Sequence, residues 1–413
     1  MQNNSGPDCR FCGKELNHLM VDLGMSPPCQ SRIQASELNS MERFYPLRVY
    51  LCQNCYLVQL DEFVSPDEIF SEYAYFSSYS DSWVEHARRY CVKMLEQRKL
   101  SSENLVMEIA SNDGYLLQHF SKESIRVLGI EPAANVAKVA VEKGIPTEVC
   151  FLGEDSAQRI VSEHGKADLI AANNVLAHVP DINDFVAGVK TLLKDDGVVT
   201  MEFPHLLKLM DLNQFDTIYH EHFSYLSWYA VKQVFAAHQL VLFDVEELDT
   251  HGGSLRIFGG HVSNRALSIS ESAKQLEQAE LDWGVARPET YSNFTQRVAH
   301  TKRELLAFLI EQKRKGKQIV GYGAPGKGNT LLNYCGIRSD FLDYTVDRNP
   351  YKQGTYTPGT HIPIYSPDKI AETKPDFILV LPWNLRSELS QQLSYIREWG
   401  GQLVYPIPHL EVV

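Results

Sequence analysis

Residues 106–120, VMEIASNDGYLLQHF, decide the fold. The apolar run over 105–109, interrupted only by Glu108, reads as a buried strand. Ala110, Ser111, Asn112, Asp113 and Gly114 then make a turn of small residues, and residues 115–120 read as the start of a helix. Strand, tight turn and helix N-terminus together form a nucleotide site. Small residues let the backbone approach a ligand, and unpaired N–H groups point at it. Glu131 ends the next strand, over 127–130, where a carboxylate can accept hydrogen bonds from ribose hydroxyls. The GxGxxG of dinucleotide-binding folds is missing, which disfavours a nicotinamide-dependent enzyme.

Around this stretch strands and helices alternate. Strands are expected over 105–109, 127–130, 147–149, 169–172 and 198–202, with helices over 133–143, 156–163 and 182–193. An amphipathic helix over 83–99 leads in, and two more strands follow over 240–246 and 254–260. This is the pattern of an open parallel α/β sheet, whose ligands gather at the carboxyl ends of the strands. Asn173 and Asn174 stand at one such end, able to bind a ligand or to cap the next turn, and His178 follows in a short loop. In THGGSLR, Ser254 and Arg256 have the chemistry to bind phosphate, although a plain hairpin turn explains the run as well.

The chain has 413 residues, enough for two or three domains, and its hydrophobic share of 44% is that of a globular protein. A net charge of -13 without a long basic run disfavours nucleic acid as the main partner. No apolar run approaches the roughly 20 residues of a membrane span. The first residues lack a signal-peptide pattern, so a cytoplasmic location with reduced thiols is expected. Four of the eight cysteines form two CxxC pairs, Cys9 with Cys12 and Cys52 with Cys55. Two such knuckles supply the four soft ligands of a closed, structural zinc site, with residues 22–41 as an inserted loop. Cys29, Cys91, Cys150 and Cys335 have no such partners and read as small apolar residues. A tyrosine- and serine-rich run follows (Tyr73, Tyr75, Phe76, Tyr79), either a polar lid or interdomain packing.

After the fifth strand comes YHEHF, with Tyr219, His220, Glu221 and His222 consecutive. Histidines two apart lie on opposite faces of a helix; on a strand they share a face, which allows a metal pair, but no third ligand stands nearby. A histidine base beside a carboxylate and a phenol fits better, set to take a proton from carbon next to a carbonyl. Near the C-terminus a strand over 318–320 enters GYGAPGKGNTLLNY, a second glycine-rich turn suited to phosphate. Lys327 is followed by Gly328 rather than Ser or Thr, so this is no Walker A sequence. Strands over 344–347 and 377–381 complete a second, smaller βαβ domain.

These motifs, in this order, resemble the sugar C-methyltransferases that act on nucleotide-linked 4-keto-deoxysugars. The acidic strand Glu108, the small-residue turn and Glu131 resemble the S-adenosylmethionine (SAM) site of class I methyltransferases. The resemblance spans the chain through the zinc knuckles, EIASNDGYLL, NNVLAHVPD, YHEHFSYLS, HGGSLR and GYGAPGKGNTLLNY. It implies a zinc-binding domain with its aromatic lid over 1–82 and a class I, Rossmann-like SAM domain over 83–265. A helical linker and Rossmann-like nucleotide-sugar domain over 266–413 follows. Implied SAM contacts are Glu108, Ala110, Ser111, Asp113, Gly114, Glu131, Asn173 and Asn174. Ala110 stands where glycine is common, a methyl expected to be harmless. Implied substrate contacts are Ser254, Arg256, Gly323, Lys327 and Asn329. The base looks like His222, oriented by Glu221, with Tyr219, His178 and Tyr73 around it. The implied reaction is methylation at C3 of a thymidine- or guanosine-linked sugar through an enolate. An O- or N-methyltransferase, or a zinc-ribbon adaptor without catalysis, are the competing readings. Oligomeric state is not legible.

Overall fold

The computed structural model describes residues 6–65 and 76–413. The chain forms two compact units whose pieces interleave along the sequence. The first comprises Met1–Asn17, Cys52–His205 and Phe223–Ala286, and the second His18–Leu51, Leu206–His222 and Arg287–Val413.

The first unit is built on β1 (Leu105–Ile109), β2 (Arg126–Ile130), β3 (Thr147–Glu148), β4 (Ala167–Asn173), β5 (Leu193–Pro204), β6 (Leu240–Leu248) and β7 (Ser254–His261). They form one seven-stranded sheet in the order β6-β7-β5-β4-β1-β2-β3. β1 to β5 pair in parallel, and β7 runs antiparallel between β5 and β6. This is the α/β architecture the sequence implied. β1 reads LVMEI without alternation because it is buried along its whole length. The helix Asp81–Arg98 starts two residues earlier than expected, because the Ser80 hydroxyl accepts the Trp83 N–H. It lays Ala87, Tyr90, Cys91 and Met94, spaced three and four apart, onto a core containing Val106, Phe120 and Leu169. Burying each of the larger ones contributes roughly 1.5–3 kcal/mol, and Cys91 is the small apolar residue expected.

The turn after β1 differs from its reading. Its helix begins only at Leu117. Ala110, Asn112 and Gly114 have φ of 55°, 51° and 77°, left-handed angles that a right-handed helix cannot include. At Gly114 a Cβ would also sit 3.0 Å from Ile145 Cγ1. The methyl of Ala110 is therefore not harmless, since that region costs a non-glycine residue about 1–2 kcal/mol.

The second unit has β8 (Ile319–Tyr322), β9 (Thr345–Val346), β10 (Ile364–Tyr365), β11 (Phe377–Val380), β12 (Gln402–Tyr405) and β13 (Glu411–Val412). Their order is β10-β9-β8-β11-β12-β13, all parallel except β13. Two earlier stretches of chain belong here. The strand His18–Ser26 pairs antiparallel with Tyr45–Leu51, so residues 22–41 are not a loop throughout. Thr295 Oγ1 donates to Met20 O at 2.9 Å, and Ile33 and Tyr356 exchange backbone hydrogen bonds of 3.1 and 2.9 Å. Residues 206–222 are held by Asn213 Nδ2 donating to Thr301 Oγ1 and by Thr330 Oγ1 donating to Ile218 O, both at 2.8 Å. Among the described residues no helix is long and apolar enough to cross a membrane.

The helix Glu271–Trp283 lies in the first unit, past the sequence boundary at 265. Its Glu280 is fully buried and accepts the N–H groups of Trp228 and Tyr229 at 2.8 Å each, capping the helix Trp228–Ala237. His205 Nε2 adds a third bond at 2.7 Å. Glu280→Ala strands three donors in the interior and should lower unfolding stability by about 2–4 kcal/mol. Urea denaturation checks this, and a loss below about 1 kcal/mol would mean that the cap is dispensable.

Candidate active site and zinc site

The four knuckle cysteines converge. Their sulfurs all lie within 4.8 Å of one another, with Cys9–Cys55 at 3.6 Å and Cys12–Cys52 at 3.5 Å. A tetrahedral zinc with Zn–S bonds of about 2.3 Å spaces its sulfurs about 3.8 Å apart, so the donor set fits the ion. Gln59, itself buried, donates Nε2–H to Cys9 Sγ at 3.1 Å and accepts the Arg10 N–H at 2.9 Å, which fixes the first knuckle.

At the carboxyl ends of β1, β2 and β4, buried polar atoms without partners gather. Neither oxygen of Glu108 reaches a hydrogen-bond partner, nor do Ser111 Oγ or either polar atom of Asn173. Burial pushes the Glu108 carboxyl well above the usual range, and the nearby Tyr115 hydroxyl offsets this only in part. A ligand with hydroxyl and ammonium groups would satisfy these atoms, and SAM carries both. Glu131 Oε2 accepts the Asn112 N–H and its Oε1 the Ala133 N–H, each at 2.9 Å. Burial raises its carboxyl, the two N–H groups pull it back, and together they aim it at the turn. Asn174, at φ 53°, contacts His251 Nε2 through Nδ2 at 3.3 Å. His178 ends a short 3-10 turn, half-buried.

Three expected contacts have other occupations. Asp113 accepts the Ser78 N–H and hydroxyl and pairs with Lys143 at 3.0 Å, anchoring the serine run to the turn. Arg256 is buried between Glu202 and Glu246, at 2.8 Å from each, with its guanidinium 4.8 Å from the Tyr90 ring centre. Its charge is committed inside the sheet and does not point to phosphate. Ser254 Oγ donates to Thr250 O at 2.9 Å and closes the hairpin. The sequence reading missed an aromatic group in this unit. The Trp83 ring stacks on His86 at 4.9 Å and meets His251 edge-on at 5.4 Å, and His86 Nε2 lies 2.9 Å from Glu202. Its signal was the Trp83–His86 spacing of three on one helix face.

In the second unit, residues 219–222 form a turn in which the two histidines take different partners. His220 is buried against the Tyr45 ring, its Nε2 3.2 Å from Pro46 O, and burial lowers its pKa. His222 is half-buried, with its ring 4.0 Å from that of Tyr219. Its Nδ1 lies 2.9 Å from Thr217 O. A carbonyl only accepts, so Nδ1 carries a proton at this contact. Thr217 O thus helps to orient the ring, the part that the sequence had given to Glu221. Glu221 is buried and accepts the Cys29 S–H at 3.4 Å, and burial pushes its carboxyl up to about 7. Cys29 is therefore more than a small apolar residue. Asn329 Nδ2 donates to Cys29 O at 2.7 Å. Gly323 has φ 83° in the glycine-rich turn, and Lys327 Nζ bonds Asn384 Oδ1 at 2.8 Å over the Trp383 ring. Trp383 Nε1 donates to the buried Asp216 at 2.6 Å. Tyr73 and Tyr75 lie outside the described residues.

Two outcomes follow from these sites. Unfolding the protein should release about one zinc per chain, and Cys52→Ala should abolish this and lower the melting midpoint by roughly 5–10 °C. Zinc retention by Cys52→Ala in a dye titration would sink the assignment. For Glu221, the folded carboxyl lies above its unfolded value, so the native state binds the extra proton. Stability is then full below the unfolded value and lost as pH rises to about 7. Glu221→Gln should be more stable than the parent at pH 8 by up to about 3 kcal/mol, a gap that closes towards acid pH. A gap independent of pH would refute that sign.

Comparison with known proteins shows the family. Residues 9–70 match the family described as "Putative zinc binding domain", residues 83–245 a methyltransferase domain, and residues 249–408 the C-methyltransferase C-terminal domain. The chain is 34% identical to the C-methyltransferase NovU of Streptomyces niveus over 409 residues, 98% of this chain and 96% of that protein. Among solved structures, a SAM-dependent methyltransferase of Anabaena variabilis is 16% identical, covers 42% of this chain and 84% of its own, and gives a TM-score of 0.35. The magnesium protoporphyrin IX methyltransferase of Synechocystis with bound SAM is 13% identical over 43% of this chain and 78% of its own, with a TM-score of 0.33. With its zinc-binding, methyltransferase and C-terminal regions in order and a relative that matches nearly end to end, the chain belongs to the SAM-dependent C-methyltransferases.

Proposed function

We propose that the enzyme methylates C3 of a thymidine- or guanosine-diphosphate-linked 4-keto-6-deoxy sugar, in the cytoplasm. The observation that carries this reading is His222, whose Nδ1–H donates to Thr217 O at 2.9 Å and so fixes the orientation of the imidazole ring. An O- or N-methyltransferase would need a base too but no ketone, whereas a carbon acceptor must lose a proton acidified by a neighbouring carbonyl. The C4 ketone acidifies the C3 hydrogen, and His222 Nε2 removes it. The electron pair moves onto the C4 oxygen, giving an enolate that Tyr219, His178 or Tyr73 stabilises by donation. Bound SAM supplies the methyl group, which C3 takes in line, and the S–CH3 bonding pair stays on sulfur. His222 then returns its proton to solvent. In this reading Glu108, Ser111, Glu131, Asn173 and Asn174 hold SAM, with the backbone of Ala110 and Gly114 against it. Gly323, Lys327 and Asn329 hold the nucleotide. The functional division stays at 1–82, 83–265 and 266–413.

The test is a nucleotide 4-keto-6-deoxyhexose incubated in heavy water without SAM, followed by mass spectrometry. Deuterium should enter at C3, and His222→Asn should slow its entry by about 10²–10⁴-fold. Methyl transfer that proceeds with no exchange and retains the C3 hydrogen would move the assignment to oxygen or nitrogen.

A further inference from the structure

The two units repeat one arrangement. In the first, the acidic residue that ends β2 accepts two backbone N–H groups: Asn112 in the turn after β1, and Ala133 two residues onward, each at 2.9 Å. In the second, Asp347 ends β9. Its Oδ2 accepts the N–H of Ala324, in the glycine-rich turn after β8, and its Oδ1 accepts that of Asn349, two residues onward, each at 2.8 Å. In both cases the two strands are parallel neighbours and a helix follows the turn. The turns share a left-handed backbone, Gly114 at φ 77° and Gly323 at φ 83°. At Gly323 a Cβ would lie 2.7 Å from Pro382, so the turn is closely drawn around that position.

From this correspondence we infer that Asp347 hydrogen-bonds the sugar hydroxyls of the substrate's nucleoside, as Glu131 does those of SAM. Each backbone N–H uses one lone pair of a carboxylate oxygen and leaves another free to accept a hydroxyl. A carboxylate so held at the end of the second strand is the ribose-binding element of nucleotide folds. The second unit differs in one respect. Lys352 Nζ donates to Ala324 O at 2.9 Å and lies 3.5 Å from Asp347 Oδ2. That places a cation beside the turn, where a diphosphate adds negative charge. Asp347 is half-buried, which leaves it within reach of a ligand. The inference rests on the nucleotide-sugar reading above and names a binding residue for it.

The test is calorimetric binding of guanosine and thymidine diphosphate to the full chain, each beside its dideoxy analogue, which lacks the free sugar hydroxyls. The parent enzyme should bind the hydroxylated nucleotide about 10–100-fold more tightly than the dideoxy form, the range of hydrogen bonds to a charged acceptor. Asp347→Asn should erase that difference and leave SAM affinity unchanged. Equal binding of both forms by the parent enzyme overturns the role of Asp347 and leaves the nucleotide assignment standing. This comparison needs no variant, so poor folding of Asp347→Asn cannot obscure it. Failure of both nucleotides to bind at all overturns the nucleotide assignment and this inference together.

Discussion

Burying a carboxylate is the constraint on which most of this molecule depends. The ionised group loses its water and must find donors or charges in the interior. Glu280 finds two backbone N–H groups and a histidine, and thereby fixes a helix to the sheet. Glu202 finds Arg256 and His86. Asp216 finds the Trp383 indole, although burial still pushes its carboxyl up to about 6. Glu131 and Asp347 find pairs of backbone N–H groups. Glu108 finds no hydrogen bond. Glu280 and Glu202 brace the sheet through these bonds, and Glu131 and Asp347 draw in the turns beside them.

Local features were legible in the sequence. The two CxxC pairs announced four convergent sulfurs because each knuckle is closed by its own short loop. The sheet could be read from alternating apolar runs, and the turn at 110–114 from its small residues. What could not be read was partnership across long separations. The thiol of Cys29 meets Glu221 across 192 positions, and no pattern near either residue signals it. Arg256 looked free for phosphate because Glu202, its cross-strand neighbour, is 54 positions away. Asp113 looked ready for a ligand because Ser78, which occupies it, lies in a stretch whose polarity suggested a lid. Side chains with strong chemistry are ambiguous in sequence, since a charged group serves equally as a ligand or as an internal counter-ion.

Backbone geometry was misread for a related reason. A run of small residues tells where the chain can turn, but not which angles it takes. Asn112 and Gly114 in left-handed conformations postpone the helix to Leu117. Its N-terminus consequently does not begin at the turn, and the N–H of Asn112 goes to Glu131. The site is a carboxylate held by the turn rather than an anion hole at a helix end. That suits a ligand presenting hydroxyl and ammonium groups better than one presenting phosphate.

The segment carrying His222 obeys a further constraint. Thr330, which follows the glycine-rich turn, holds its backbone at Ile218, and Cys29, itself fixed by Asn329, holds Glu221. The loop that carries His222 thus hangs from the helix that follows the glycine-rich turn. In an enzyme that recognises a large substrate by a part that does not react, binding energy must be spent on placing the reacting groups. In the proposed reaction, a base mounted on the helix that receives the nucleotide would do this through rigid connections. Glu221 in this loop is a buried acid that destabilises the fold when ionised near neutrality.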